Sequence, residues 1–309
     1  MTRNALVTGA AGFIGSNLSR KLLEEGWAVT GVDDLSSGNL DLLDGCKGLK
    51  LVVNDFASEG ILESLHNKEF DVVFHLAAIP RVSYSVEQPA KTTLVNVAGT
   101  VALMEACRGN IDRFIYSSSS SVYGGAEQMP TPVTHERDPK SPYAWQKSSN
   151  EDLLRMFGKL YDFDSVCLRY FNVFGPNQMG DSPYSTAISA WCHAVKEGLP
   201  LRKDGSGEQS RDMCYVDNVV DVNIRAANHE GTFRGEPFNV ACGDRTSNNQ
   251  ILEAFQERFG NLEIDQASFR PGDVMHTQAD ISETERVFGY KPLVRFWDGL
   301  EKTFEWWDI

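Results

Sequence analysis

The chain has 309 residues, 41% of them apolar, and at this length about 75% of the surface of the unfolded chain can be withdrawn from water. Its 43 Asp and Glu against 29 Lys and Arg give a formal charge of -14, which repels nucleic acid and anionic membranes and excludes both as expected partners. An anionic substrate stays compatible with that balance if a single cleft is locally basic.

In chain order, Ala5 to Thr8 reads as a short buried strand, followed by a glycine-rich turn and a helix with Leu18, Leu22 and Leu23 on its inner face. Val29 to Val32 is a second apolar run, ending in Asp33 and Asp34. Further strands are expected at Leu49 to Val53, Val72 to Leu76 and Phe114 to Ser117, with helical stretches between them. Apolar strands that do not alternate, spaced by helices, describe a parallel sheet covered on both faces. Pro89 is expected to start one long helix through Val101, Leu103 and Met104, and Trp145 to Tyr161 a second. The strand Val166 to Tyr170 leads to Asn172, Gly175 and Pro176, where the pattern changes. Beyond it come a helix from Tyr184 to Lys196, a polar loop Arg202 to Ser210, and a helix Val216 to Asn228. Phe296, Trp297, Leu300, Phe304 and Trp307 recur at helical spacing, as in a packed terminal helix. The expected fold is therefore α/β, a Rossmann-type doubly wound parallel sheet with a smaller mixed α/β C-terminal substrate lobe. Residues 1–171 form the first unit and 172–309 mainly the second, with segments around 212–240 returning to the first.

Six cysteines are scattered without a CxxC. Cys107, Cys167, Cys192 and Cys214 lie in largely apolar stretches and read as buried free thiols, and no metal site is expected. A strand pattern begins within a few residues of the start, and no stretch approaches 18 uninterrupted apolar residues, so the expected compartment is the cytoplasm.

The segment Gly9-Ala10-Ala11-Gly12-Phe13-Ile14-Gly15 follows a strand and opens a helix, with spacing GxxGxxG. Gly9 suits the tight turn, Gly12 the approach of a pyrophosphate, and Gly15 close packing of the helix, whose first N–H groups, from Phe13 and Ile14 onward, face an anion. Asp33 ends the second strand, where a carboxylate accepts ribose hydroxyls and repels a 2′-phosphate; the expected cofactor is NAD. Asp55, after the third strand, either holds the adenine amine or caps a turn.

Tyr143 and Lys147 are four residues apart in a helical stretch and face one cleft. The lysine ammonium and a positively charged nicotinamide are expected to favour the phenolate, which can then take a substrate hydroxyl's proton as hydride leaves the same carbon. Lys147 also suits the nicotinamide ribose. Ser119, Ser120 and Ser121 end the fifth strand and offer a hydroxyl to the substrate oxygen; spacing does not rank them.

These residues, with His75-Leu-Ala-Ala78, Ser117 to Gly124, Tyr143-Ala-Trp-Gln-Lys147, Arg169 to Pro176, Ser210 to Asn218 and Arg270-Pro-Gly-Asp273, resemble the extended short-chain dehydrogenase/reductases acting on nucleotide sugars. The likeness is greatest to the UDP-sugar 4-epimerases, including the branch that takes N-acetylated hexosamines. It implies retained NAD, a UDP-sugar substrate, a transient 4-keto sugar, a homodimer, and Ser119 as the partner of Tyr143. It further implies that Asn172 contacts the diphosphate, Arg211 and Arg270 neutralise it, Asp273 lies against the uridine ribose, and Asn96 lies near the nicotinamide. Arg81 joins the substrate-binding set, and His75 is structural. Ser120 and Ser121 stand where 4,6-dehydratases carry an Asp-Glu pair, and Thr277 stands where glucose-only bacterial enzymes tend to carry a tyrosine, leaving volume for an acetamido group. Phe56 departs from an aliphatic residue that packs against adenine. A UDP-glucuronate 4-epimerase, or another NAD-dependent nucleotide-sugar enzyme, is the alternative.

Overall fold

The computed structural model describes residues 2–181, 185–269 and 274–309. In chain order the first half comprises β1 (Asn4–Thr8), α1 (Phe13–Glu24), β2 (Ala28–Asp33), β3 (Lys50–Val53), α2 (Glu59–His66), β4 (Val72–His75), α3 (Val82–Glu87), α4 (Pro89–Thr93), α5 (Thr100–Cys107), β5 (Arg113–Ser119), α6 (Pro142–Tyr161) and β6 (Ser165–Tyr170). There follow β7 (Val173–Phe174), α7 (Ala187–Glu197), β8 (Leu201–Asp204), β9 (Ser210–Arg211), β10 (Cys214–Tyr215), α8 (Val216–Asn228) and β11 (Arg234–Val240). The chain ends with β12 (Thr246–Ser247), α9 (Asn248–Phe259), β13 (Ile264–Ala267), α10 (Ser282–Phe288) and α11 (Phe296–Trp307).

Seven strands pair in parallel in the order β11-β6-β5-β4-β1-β2-β3, the doubly wound arrangement expected from the alternating strands and helices. The central strands are apolar on both faces because helices cover both: Leu6 packs with Phe114 and Phe163 on one side, Val7 with Phe74 and Val166 on the other. Burial of these side chains, about 1.5–3 kcal/mol each, outweighs the modest helical and strand propensities of the short elements. The order reverses between β1 and β4, so a crevice opens at the carboxyl ends of the strands. Three two-stranded pairs, β10-β7, β12-β9 and β13-β8, form the smaller lobe above it. Among the described residues no helix is long and apolar enough to cross a membrane.

Several expectations change. The helix from Pro89 is not continuous: α4 runs into a π-helical turn at Leu94–Gly99 before α5. The wider turn frees the Asn96 carbonyl, which accepts from Thr100 Oγ1 at 2.9 Å and from Asn150 Nδ2 at 2.7 Å, so side chains replace the lost helical bond. The helix expected from Tyr184 begins at Ala187; Tyr184 itself lies outside the described residues. In α11, Phe296, Leu300, Phe304 and Trp307 are buried as expected, but Trp297 is half exposed, one position off the inward stripe. Phe56 is buried with its ring 4.9 Å from that of His75, filling the space under Gly99. Cys107, Cys167, Cys192 and Cys214 are buried free thiols, as is Cys242.

Candidate active site

The turn after β1 places Gly9 at φ +72°, with its N–H donating to the Val32 carbonyl at 2.8 Å. A Cβ on Gly15 would stand 1.9 Å from the Gly9 carbonyl oxygen, so only glycine lets α1 start this close to the turn. On Gly12 a Cβ would meet only that oxygen, at 3.2 Å; its outer face is open, and no side chain caps the helix start at Phe13 and Ile14. An open backbone surface and uncapped N–H groups fit a dinucleotide's pyrophosphate. The Asp33 carboxylate accepts from the Ala11 and Leu35 N–H groups, each at 2.9 Å, and each oxygen keeps a lone pair for a ribose hydroxyl. Burial pushes this carboxyl's pKa up and the two N–H groups oppose it. Asp55 is exposed, and its Oδ1 accepts from the Ala57 N–H at 2.7 Å, the turn-capping alternative.

His75, at the end of β4, is a structural imidazole. Thr100 Oγ1 donates its proton to the Asn96 carbonyl, so it can only accept from His75 Nε2 (2.9 Å), and Nδ1 therefore accepts from Thr8 Oγ1 (2.8 Å). Burial and the nearby Lys147 push its pKa down to about 3, so the ring stays neutral. Asn96 is buried within the π turn rather than on a helix surface. Its amide accepts from Ile79 N–H at 2.8 Å and donates to Ile79 O at 3.1 Å and Gln146 Oε1 at 2.8 Å. Both amide hydrogens are therefore committed to the protein, and Asn96 holds the loop after β4 in place.

Tyr143 and Lys147 lie in the first turns of α6, which starts at Pro142, three residues before the expected Trp145. Pro142 occupies its first position and Ser141 Oγ caps it, accepting from the Ala144 N–H at 3.2 Å. Ser119 lies close enough to the Tyr143 phenol to oppose the rise in its pKa. Ser119 Oγ accepts from Ser121 Oγ (2.9 Å) and Ser121 N–H (3.2 Å), which leaves its own proton to give toward the phenol. The serines are thereby ranked: Ser119 faces the tyrosine, Ser121 stands behind it, and Ser120 starts the 3-10 turn. Lys147 Nζ donates to the Ser117 carbonyl at 2.6 Å and keeps two further N–H bonds to give.

The protein environment of Tyr143 acts on its ionisation in two directions. Burial pushes its pKa up to about 12, and the opposing groups are Ser119 and the Arg81 guanidinium rather than Lys147. The protein groups alone keep a neutral phenol. Burial likewise lowers Lys147 to about 8, against Glu151, which raises it.

Across the crevice, Asn172 follows β6 at φ +23°, a left-handed position that asparagine tolerates. Its Nδ2 donates to the Asp212 carbonyl (3.2 Å) and to Thr277 Oγ1 (3.1 Å), which also accepts the Asp212 N–H (3.3 Å). Thr277 is thus bound into this wall, in contact with Asn172. The Asp212 carboxylate, fully buried, accepts from the N–H groups of Cys242 (2.9 Å), Gly243 (3.1 Å) and Ala279 (3.0 Å), and burial raises its pKa to about 7. Arg211 Nη1 is braced by the carbonyls of Ser210 (3.0 Å) and Met275 (3.1 Å). Beside it lies a cavity of about 310 Å³ lined by Asn172, Trp191, Arg202, Gln209, Arg211 and Asn248. Arg202, Trp191 and Asn248 escaped the sequence reading because they belong to separate elements; Arg202 to Ser210 reads there only as a polar loop. Arg270 and Asp273 lie outside the described residues.

A dinucleotide loop, a tyrosine-lysine-serine cluster at the sheet's carboxyl edge, and a second, arginine-bearing cavity within one crevice define an NAD-dependent enzyme that oxidises and reduces a carbon bearing oxygen. The family model described as "NAD dependent epimerase/dehydratase family" matches residues 5–241, and the chain belongs to that family. It is 36% identical over 310 residues, 97% of both chains, to the UDP-glucose 4-epimerase of Mycolicibacterium smegmatis. Among solved structures it is similar to the UDP-N-acetylglucosamine 4-epimerase of Methanobrevibacter ruminantium in complex with UDP-N-acetylmuramic acid, at TM-score 0.93 and 36% identity, covering 99% of this chain and 98% of that one. It is also similar to the UDP-glucuronic acid 4-epimerase of Bacillus cereus in complex with UDP-glucuronic acid and NAD, at TM-score 0.90 and 32% identity over 99% of both chains.

Proposed function

We propose that the protein inverts C4 of a UDP-sugar through a bound 4-keto sugar, and that its substrates are UDP-N-acetylglucosamine and UDP-N-acetylgalactosamine. The observation that carries the reading is the Ser119-Tyr143-Lys147 cluster at the end of β5, whose neighbour β6 pairs Tyr170 with Ser119 and leads directly into Asn172. NAD, when bound by Gly9 to Gly15 and Asp33, supplies the hydride acceptor for C4 and returns the hydride. Tyr143 would act as the phenolate, a form that the positive charge of a bound nicotinamide favours: it would take the proton of the sugar's 4-hydroxyl and later give it back, with Ser119 beside the phenol oxygen. Arg211, in an otherwise acidic chain, supplies paired N–H donors for the diphosphate, which keeps the nucleotide anchored while the ketone turns over. The threonine at 277, in place of a larger ring, supports acceptance of the acetamido group.

A UDP-sugar panel followed by NMR at C4, without added NAD, tests this. Conversion of both hexosamines is expected, and failure with both despite bound NAD overturns it. Arg81, close enough to Tyr143 to influence it, favours one second reading, an anionic sugar; turnover of UDP-glucuronate alone would select it. We also assign a homodimer contact to the face of α3, α4 and α6, where Val86, Leu94, Trp145 and Met156 are exposed. Light scattering is expected to give twice the 34.4 kDa chain mass.

A further inference from the structure

Along one face of α6, Tyr143, Lys147 and Glu151 follow at intervals of four, and three consecutive residues ending β5 meet them one for one. Ser119 lies beside the phenol, the Ser117 carbonyl accepts from Lys147 Nζ, and Ser118 Oγ donates to Glu151 Oε1. Glu151 is fully buried. Arg169 on β6 grips it with Nε on Oε1 at 2.9 Å and Nη2 on Oε2 at 2.6 Å, and Arg137 adds a longer contact at 3.5 Å. From Arg169 the chain of bonds continues through Tyr123 Oη (2.7 Å) to Asn239 Oδ1 (2.6 Å). Asn239 Nδ2 then donates to the carbonyls of Thr131 (3.0 Å) and Asp280 (3.1 Å), the latter three residues past Thr277. A buried ion pair adds little stability over an apolar pair of equal volume, so stability alone is a poor account of this one.

We propose that Glu151 is a positioning residue for proton transfer at Tyr143: by holding Ser118 it fixes Ser117 on Lys147 and sets Ser119 beside the phenol, with its carboxylate one helical turn from Lys147. Of the groups near Lys147, Glu151 is the foremost that favours the charged form, with Cys167 of β6 second. The Tyr116 ring of β5 lies 4.8 Å from Nζ and the Tyr143 ring 5.8 Å, while His75 of β4 is neutral. Glu151 itself faces Arg169, Arg137, Tyr116, Tyr123 and Cys167. Losing its charge lets Lys147 deprotonate at lower pH, which removes the cation beside the phenolate.

The test uses whichever UDP-sugar the wild type turns over, so it stands whether or not the hexosamine reading holds. In Glu151→Gln, kcat is expected to fall about tenfold with KM unchanged, and the alkaline limb of the kcat profile to move down by about one pH unit. Glu151→Asp, which keeps the charge, restores the limb but not the full kcat. Ser118→Ala leaves the ion pair intact and decides the matter if the glutamine variant does not fold: a several-fold fall in kcat at constant KM supports the proposal. An unmoved limb in folded Glu151→Gln, or an unchanged kcat in Ser118→Ala, overturns it.

Discussion

On one side of the crevice Gly9 after β1, Asp33 on β2, His75 on β4 and Ser119 on β5 stand at strand ends of one seven-stranded sheet, with Tyr143 and Lys147 on α6 tied to it through the Ser117 carbonyl. On the substrate side Asn172, Arg211 and Thr277 ride on two-residue strands and single bridges, held to one another by the buried Asp212. The first wall takes its geometry from the parallel ladder, which cannot shift one strand without its neighbours. The second takes its geometry from a few side-chain and carbonyl contacts, so substitutions there change substrate choice at smaller cost to the fold. On the proposed function, the consequence is a fixed proton and hydride frame beside an adjustable grip.

The largest effect that would break this division is at Tyr143. Tyr143→Phe is expected to lower kcat by roughly 10³-fold while NAD stays bound, measured as turnover and as NAD released on denaturation. Arg211→Ala is expected instead to raise KM by about 10- to 100-fold, the loss of a charged hydrogen-bonding pair, with a smaller change in kcat. If both variants lost only kcat, the two walls would not be functionally separate. Thr277→Tyr should depress turnover of acetylated sugars about tenfold more than that of UDP-glucose, since a clash of this kind costs about 1–3 kcal/mol. Equal losses would show that its contact with Asn172, not its volume, is what matters.

The same contrast decides what could be read from the sequence. The glycine loop and the Tyr143-Lys147 pair are short-range patterns, and the physics behind them, a tight turn and one helical turn, acts within a few residues. Asn172, Arg211 and Thr277 are brought together only by the fold, through Asp212 contacts to Cys242, Gly243 and Ala279 that no spacing announces. The likeness to nucleotide-sugar enzymes named these residues but not their bonds to each other. Even in the legible wall, spacing shows a neighbouring lysine but not the burial that raises Tyr143 to about 12 and lowers Lys147 to about 8.

That depressed lysine has a consequence for stability. Its folded pKa of about 8 lies below the ordinary 10.5, so the unfolded chain binds the proton more readily between these values. Burying the charge therefore costs most below about pH 8, and the cost, about 3 kcal/mol at the extreme, fades as pH rises toward 10.5. Lys147→Met is expected to be inactive, and the melting temperature of the wild type should gain on that of the variant as pH rises through this window. Parallel curves would mean that the ammonium is not desolvated in the folded protein.

The smallest effect is expected at Asp55, and it sharpens the cofactor side. Asp33 and Asp55 end neighbouring strands, yet Asp33 is buried with both oxygens tied to backbone N–H groups, whereas Asp55 is exposed and spends one oxygen on Ala57. Asp33→Ala removes the anchors of two loop segments together with the ribose acceptor, and NAD retention should fail. For Asp55→Ala only a turn contact and one solvent-exposed hydrogen bond are lost, about 1 kcal/mol, or a several-fold rise in the Kd of NAD measured by calorimetry on the stripped protein. A loss as large as that of Asp33→Ala would place the adenine amine on Asp55 and make the turn contact secondary.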